Sequence, residues 1–401
     1  MHLEKIKGVK SKKLEGRLIV LGVTGSIAAV ESVRLARELI RRGAEVIAVM
    51  SDAAAKIIHP YALEFATDNR VITEITGSVE HVELLGQNGR ADLLLIAPST
   101  ANTISKIASG IDDTPVTTMA TTALGSGKPI LIAPAMHESM MENPAVMEAV
   151  EKLKTMGVEF IEPKYEEGKA KFQDIENICL QVERKLSSQE MRGKKVVVTS
   201  GPTFEFIDPI RFISNRSSGR MGLEIALELW RRGAEIVYIT SKPPQFSIPD
   251  FEVVRVTSVR EMLDAALSAV RNGCDLYVSA AAAADFTMEM SKDKIKTAES
   301  LTLHLKAAPK VLKEVRKIYD GHVIGFKAET GVSDEELMRI AEEKMMDDRL
   351  EMVVANDVLE KGMGTEDTRV VVITGKRKEW IEGLKSQVAE RIVEIYLEDR
   401  P

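Results

Sequence analysis

The chain has 401 residues, 44% of them hydrophobic and 29% charged, with a formal net charge of −7. That length exceeds one comfortable core, so two domains are expected, and an acidic balance of interspersed signs offers no basic field for nucleic acid. Its two cysteines, Cys179 and Cys274, lie far apart with no CxxC spacing. This argues against a disulfide framework or a zinc site and fits a cytoplasmic setting.

Residues 1–16 are Lys-rich and unpatterned and read as a flexible, solvated tail. Lys10 to Arg17 followed by apolar Leu18 to Val30 mimics a secretory signal, but Gly22, Thr24, Gly25 and Ser26 break the run. RLIVLGVTG reads instead as a buried strand and a small-residue turn. SIAAVESVRLARELIRRG has apolar residues at helical spacing and is closed by Gly43; AEVIAVMS is the next strand, ending at Ser51. Strand, Gly-Ser turn, helix and strand make a βαβ unit whose turn is placed to hold a phosphate. The turn is not GxGxxG, so an FMN-type monophosphate suits it at least as well as a dinucleotide. ADLLLIAPSTANTISKIASG (91–110) and KPILIAPAMHESMMENP (128–144) repeat the theme. Three strand ends thus offer small polar groups on one edge of a parallel sheet, where such sheets bind ligands. His81, in SVEHVELL, is a candidate for that edge, with His59 and His137 behind it, although a lone histidine is more often structural. No apolar segment is long enough to span a bilayer.

SSQEMRGKK (187–195) is polar and reads as a linker. Beyond it, ARELIRRGAEVIAVMS (36–51) is echoed by ALELWRRGAEIVYITS (226–241), and ADLLLIAPSTA (91–101) by CDLYVSAAAAA (274–284). The expected fold is α/β, two Rossmann-like domains over 17–186 and 196–401. In VVVTSGPTFEFIDPIRFISNRSSGRMG (196–222) a strand breaks at Gly201, and Ser217, Ser218 and Gly219 precede an amphipathic helix. A polar loop at a helix start favours an anion. An ordinary strand-to-helix connection is the plain alternative, but Arg211 and Asn215 have no core role there and favour a nucleotide site. Downstream, Asp285 ends SAAAAADF, and Lys292, Lys294 and Lys296 cluster as either a solvated face or a phosphate clamp. Phe326, Lys327 and Glu329 end one strand, Asn356 and Asp357 another. Carboxylates and amides converging with lysines suit Mg²⁺ and a triphosphate, although no metal ligand is identified.

GPTFEFIDPIRFISNRSSGRMG, AAAAADF, KIK, GFKAET and ANDV, in that order, resemble phosphopantothenate–cysteine ligase. TGSIAAVESV, HVEL, APSTANTISKIASG and APAMHESMM resemble the flavin-dependent phosphopantothenoylcysteine decarboxylases. The pairing, from residue 17 to the C-terminus, resembles the bifunctional enzymes of coenzyme A biosynthesis. The resemblance implies a flavodoxin-like decarboxylase domain followed by a ligase domain. In the ligase, the carboxylate of 4′-phosphopantothenate attacks the α-phosphate of CTP, giving an acyl-cytidylate and pyrophosphate, and the amine of L-cysteine displaces CMP. By resemblance Asn215 holds the activated intermediate, Arg211 accompanies it, and Lys294 is the lysine of the Lys-Ile-Lys element. Gly201, Ser217, Ser218, Gly219, Asp285, Lys294, Phe326, Asn356 and Asp357 are the nucleotide-site candidates. In the decarboxylase, FMN serves a transient oxidation of the cysteinyl end that permits loss of CO₂, then re-reduction to 4′-phosphopantetheine. Gly25, Ser26, Ser51, Ser99 and Thr103 are its flavin positions, His81 its base, and Met136 and His137 its substrate contacts. The family also implies ligase dimers and decarboxylase trimers, up to a dodecamer, in the cytoplasm.

Two departures stand out. His137 occupies the asparagine of the family's Pro-x-Met-Asn motif, and an imidazole cannot both donate and accept with an amide's geometry. GKAKFQDI stands where relatives carry Ala-Cys-Gly, so Lys171 falls at the proton-donating cysteine and is the candidate replacement. This departure sustains a second reading, an intact ligase joined to a flavin-binding regulatory or scaffold domain without activity. An NAD-dependent oxidoreductase is weakened by the missing GxGxxG and acidic ribose partner.

Overall fold

The computed structural model describes residues 3–166, 169–244, 248, 251–297, 300–359 and 364–400. It divides into two compact units, Met1–Ser187 and Ser188–Pro401. In the first, β1 (Leu18–Val23), β2 (Glu45–Met50), β3 (Leu93–Ser99), β4 (Ile130–Pro134) and β5 (Glu159–Phe160) form a parallel sheet in the order β2-β1-β3-β4-β5. β1 and β3 are buried along their whole length, as the unbroken apolar runs require of strands covered on both faces. Helices α1 (Ser32–Arg41), α2 (Asp52–Ala55), α3 (Pro60–Thr67), α4 (Glu80–Leu85), α5 (Ala101–Ser109), α6 (Pro115–Ser126), α7 (Glu138–Met141), α8 (Pro144–Thr155) and α9 (Ile175–Leu186) complete the unit. One apolar core joins α1, α3 and α9 to one face, and another joins α5, α6 and α8 to the opposite face. Between β5 and α9 lies a hairpin that the sequence pattern does not announce, β6 (Lys164–Glu166) against β7 (Lys169–Lys171).

Residues 3–16, expected to be a solvated tail, are folded onto the first unit. Leu14 is fully buried, Leu3 and Ile6 pack on the same core, and Lys10 pairs with Glu38 and Glu176. Three apolar residues spaced among lysines suffice to dock the stretch, because the lysines carry their charge outward.

In the second unit β8 (Lys195–Ser200) leads to a hairpin, β9 (Phe204–Phe206) and β10 (Phe212–Ser214). Then follow β11 (Glu235–Thr240), β12 (Phe251–Arg255), β13 (Leu276–Ser279), β14 (Phe286–Thr287), β15 (Lys306–Ala307), β16 (His322–Glu329), β17 (Met352–Asp357), β18 (Asp367–Thr374) and β19 (Lys378–Leu384). Eight of them form one sheet, β12-β11-β8-β13-β16-β17-β18-β19, parallel except for the last two strands. Its helices are α10 (Arg220–Arg231), α11 (Val259–Arg271), α12 (Val311–Arg316), α13 (Asp334–Asp347) and α14 (Lys385–Asp399). Among the described residues no helix is long and apolar enough to cross a membrane.

Candidate functional site

In the first unit the carboxyl ends of β1, β2, β3 and β4 open onto short turns that begin helices. Ser26 caps a 3₁₀ turn (Ile27–Glu31), its Oγ accepting from Ala28 N–H at 3.4 Å, and Ser51 caps α2 by accepting from Ala54 N–H at 3.3 Å. A Cβ on Gly25 would lie 2.5 Å from that of Ala53, so the turn closes against α2 only with glycine there. Thr24 stitches the turns together: its hydroxyl donates to Pro98 O at 2.9 Å and accepts from Thr100 N–H at 3.0 Å. Thr103 is buried, its hydroxyl 3.1 Å from that of Thr100, the cap of α5.

Among the described residues Ser99 Oγ, at the end of β3, and His81 Nδ1, in the first turn of α4, are buried polar atoms without a hydrogen-bond partner. Orphaned groups of this kind are rare in proteins and mark positions that await a ligand or a water. Met136 is half-buried, while His137 is exposed at the start of α7. β7, which ends in Lys171, lies against α7, so the hairpin brings that strand beside the turn carrying His137. His59 has a structural task, capping α3 through Nδ1 and meeting Tyr61 edge to face. Cys179 is fully buried in α9, and burial pushes its thiol up to about 12. It therefore stays protonated and out of reach.

In the second unit an open cleft of about 150 Å³ lies at the carboxyl ends of the strands. Ser217, Ser218 and Gly219 before α10 line it together with Ala280, Phe326 and Asn356. Gly219 has a φ of +75° and its carbonyl accepts from Ser200 Oγ at 2.9 Å, which fixes the loop over the end of β8. At the α10 start the Gly219 N–H donates to Ser217 Oγ at 3.2 Å and the Arg220 N–H to Ser218 Oγ at 3.4 Å, so the two serines cap the loop that lines the cleft. Gly201 sits behind Gly219, also at positive φ.

Arg211 and the Lys294 loop meet on a neighbouring assembly, which Asp285 and Asp357 do not join. Asn215 donates from Nδ2 to Ala282 O at 2.9 Å and Ala283 O at 3.2 Å, tying the serine loop to the alanine strand end. Arg211 donates to Asp208 and, at 2.6 Å, to Ile295 O, the residue after exposed Lys294. Asp208, not singled out from the sequence, is the fully buried hub of this assembly. It accepts from Ile210 N–H at 2.9 Å, Arg211 N–H at 2.8 Å and Ile295 N–H at 3.1 Å. The Arg211 guanidinium holds its carboxyl well below the usual range, against the opposing effect of burial. The available signal was the Asp-Pro pair, which starts an Asx-type turn. Asp285 is exposed and paired with Lys310. Asp357 accepts from Leu359 N–H at 2.9 Å and Val332 N–H at 3.1 Å, so it braces its own loop. Among the described residues no three His, Cys, Asp or Glu side chains gather as a metal cage.

A parallel sheet with helix-capping turns and a second, mixed sheet with a cleft at its strand ends define a two-part α/β protein. Residues 7–187 match the flavoprotein family and residues 191–398 the DNA/pantothenate metabolism flavoprotein C-terminal domain family. The chain is 51% identical over 398 residues to the coenzyme A biosynthesis bifunctional protein CoaBC of Thermococcus kodakarensis, spanning 98% of this chain and 97% of that protein. It is 42% identical over 401 residues to the CoaBC protein of Methanocaldococcus jannaschii, covering 98% and 97%, and 34% identical over 380 residues to that of Bacillus subtilis, covering 90% and 91%. The chain belongs to the CoaBC family of bifunctional coenzyme A biosynthesis proteins.

Proposed function

We propose that the chain carries out two successive steps of coenzyme A biosynthesis, one in each unit. In the second unit CTP is the co-substrate. The 4′-phosphopantothenate carboxylate bonds to its α-phosphorus as pyrophosphate leaves, and the cysteine amine then forms the amide as CMP leaves. The observation that carries this reading is the cleft shared by the serine loop, the alanine strand end, Phe326 and Asn356. The start of α10 lines this cleft, and a helix N-terminus favours the negative charge of a triphosphate. Asn215 and Arg211 hold the acyl-cytidylate, and Lys294 reaches it from the loop that Asp208 fastens. Mg²⁺, bound with the triphosphate, would neutralise part of its charge.

In the first unit Gly25, Ser26, Ser51, Ser99 and Thr103 hold FMN, which when bound supplies the reversible two-electron chemistry that lets the cysteinyl carboxylate leave as CO₂. The orphaned Ser99 hydroxyl fits a polar ligand at that strand end. His81 moves a proton at its unsatisfied Nδ1, Met136 and His137 orient the phosphopantothenoyl arm, and Lys171 returns a proton in the reductive step. Subunits associate as ligase dimers and decarboxylase trimers in the cytoplasm. A second reading, in which the first unit binds flavin without turnover, is favoured by the burial of Cys179, which leaves Lys171 as the donor candidate.

Mass spectrometry of products from the chain with FMN, 4′-phosphopantothenate, cysteine, Mg²⁺ and CTP separates the two. Accumulation of 4′-phosphopantetheine is expected. A halt at 4′-phosphopantothenoylcysteine leaves the ligase alone, and no CMP at all overturns both.

A further inference from the structure

We propose that Glu80 is a positioning residue for His81: by bonding back to Thr76 it holds Val79 in a left-handed turn that fixes how α4 carries the imidazole. The proposal rests on the reading of His81 as the decarboxylase base and adds residues to which that reading gives no role. Val79, which precedes α4, has φ +49° and ψ +49°. This region is costly for L-residues, most of all for a β-branched side chain. The described non-glycine residues at positive φ are Asp68, Val79 and Arg349, and Val79 is the β-branched one among them. Glycine is the ordinary occupant of such a position, yet Gly77 stands two residues too early to serve. The valine side chain is 49% exposed, so its own burial does not offset the cost.

The hydrogen bonds of the turn converge on Thr76. Its carbonyl accepts from Val79 N–H at 3.1 Å, and its hydroxyl oxygen accepts from Ser78 N–H at 3.1 Å. Its own N–H donates to one Glu80 carboxylate oxygen at 2.9 Å, and its hydroxyl donates to the other. Bonds to an ionised acceptor are the stronger kind, and the Thr76 hydroxyl and N–H hold the Glu80 carboxyl below its ordinary value. On the other side, Val79 O accepts from Val82 N–H at 2.8 Å and Glu83 N–H at 3.2 Å, which starts α4. Leu84 and Leu85 fix the far end of the helix in the apolar core. His81 lies between these two anchors, half-buried and with its Nδ1 orphaned. Its direction is therefore set by the leucines at one end and by the strained turn at the other. Backbone strain persists only where the surroundings over-determine it, and it gathers at functional sites. Here the Glu80 carboxylate supplies that constraint.

The test is a double-mutant cycle of Glu80→Ala and Val79→Gly in the full-length, flavin-loaded chain, reading kcat and KM for CO₂ release from 4′-phosphopantothenoylcysteine. With valine at 79, Glu80→Ala is expected to cut kcat about tenfold and leave KM within about twofold. With glycine at 79 the same change should cost no more than about threefold, because glycine takes positive φ without being held there. Equal losses in the two backgrounds overturn the proposal, since Glu80 then acts independently of the turn, and so does an unchanged kcat with valine at 79. A second measurement needs no turnover: the rate at which diethyl pyrocarbonate modifies His81, followed by peptide mass spectrometry with His59 as internal standard. Glu80→Ala should change that rate about tenfold with valine at 79, and a rate equal to wild type overturns the proposal. If wild type releases no CO₂, the decarboxylase reading fails by itself, and the modification rates still decide whether Glu80 positions His81.

Discussion

The two units share one frame and differ in what is mounted on it. Leu18 N–H donates to Asp92 at 2.8 Å, and Lys195 N–H donates to Asp275 at 2.9 Å. Glu45 N–H donates to Arg17 O at 2.8 Å, and Glu235 N–H to Lys194 O at 2.9 Å. The helix that follows the first strand ends each time in an arginine paired with the glutamate four residues before it, Arg42 with Glu38 and Arg232 with Glu228. The connection that feeds this helix is where they part. In the first unit it is a tight turn through Thr24, Gly25 and Ser26, and its polar groups cap helices. In the second it runs from Gly201 to Gly219, long enough to carry the β9–β10 hairpin and the Asp208–Arg211 assembly. Local rules build the frame, and the length of one loop decides which chemistry the strand ends can reach.

The sharpest way to break that comparison is to remove the candidate base from one mouth. His81→Gln is expected to slow decarboxylation by roughly 10²- to 10⁴-fold, the range for loss of a general acid–base group. The flavin absorbance and the rate of CMP formation should be those of wild type, because the change touches neither the capping turns nor the second unit. Decarboxylation within tenfold of wild type would remove His81 from the mechanism. A matching fall in CMP formation would show that the two mouths do not act separately.

The frame itself is tested at its paired arginines. Arg42 is 2% exposed and reaches Glu176 at 2.7 Å and Glu183 at 3.1 Å besides Glu38. Arg42→Met takes the cation from a carboxylate that is equally buried, and such losses cost about 3–5 kcal/mol. Arg232 is more open to water and its further partners, Glu190 and Glu394, are partly exposed. Arg232→Met should therefore cost less, about 1 kcal/mol, because buried Glu228 keeps Arg231 as a partner. Chemical denaturation followed in each unit measures both, and equal losses would show that the two frames are buttressed alike.

Much of this was legible before the structure. Apolar runs ending in small polar turns placed the strands, and the echo of RRGAE in the two halves anticipated the shared frame. Phe326 and Asn356 were readable because they stand in the last residues of two apolar strands, and the serine loop because it opens an amphipathic helix, so one sheet edge collects them. What escaped notice depends on partners distant in sequence. Leu14 gives no sign among lysines that it is buried, since its pocket is made by α1 and its neighbours. Asp208 reads as a turn residue until Ile295 closes on it, 87 positions later.

The smallest expected effect concerns the strand-anchoring aspartates. Asp92→Ala and Asp275→Ala each remove one carboxylate that accepts a strand-start N–H and pairs with a basic neighbour, Arg17 or Lys194, at 3.0 Å. Both sites are partly exposed, so about 1.5 kcal/mol each is expected, or a fall of about 3–6 °C in the melting of the affected unit. Asp275 adds a pH signature. Burial raises its pKa, but the Lys195 N–H and the Lys194 ammonium outweigh it and hold the carboxyl below its ordinary value. A group depressed in the folded state stabilises the fold above its unfolded pKa, about 3.9, and that stability is lost as pH falls through the folded value. Calorimetric scans of wild type and Asp275→Ala should therefore differ at neutral pH and converge below about pH 4. A gap that persists in acid would mean that the carboxylate charge is not what anchors β8, and that the shared frame is held by the backbone hydrogen bonds alone.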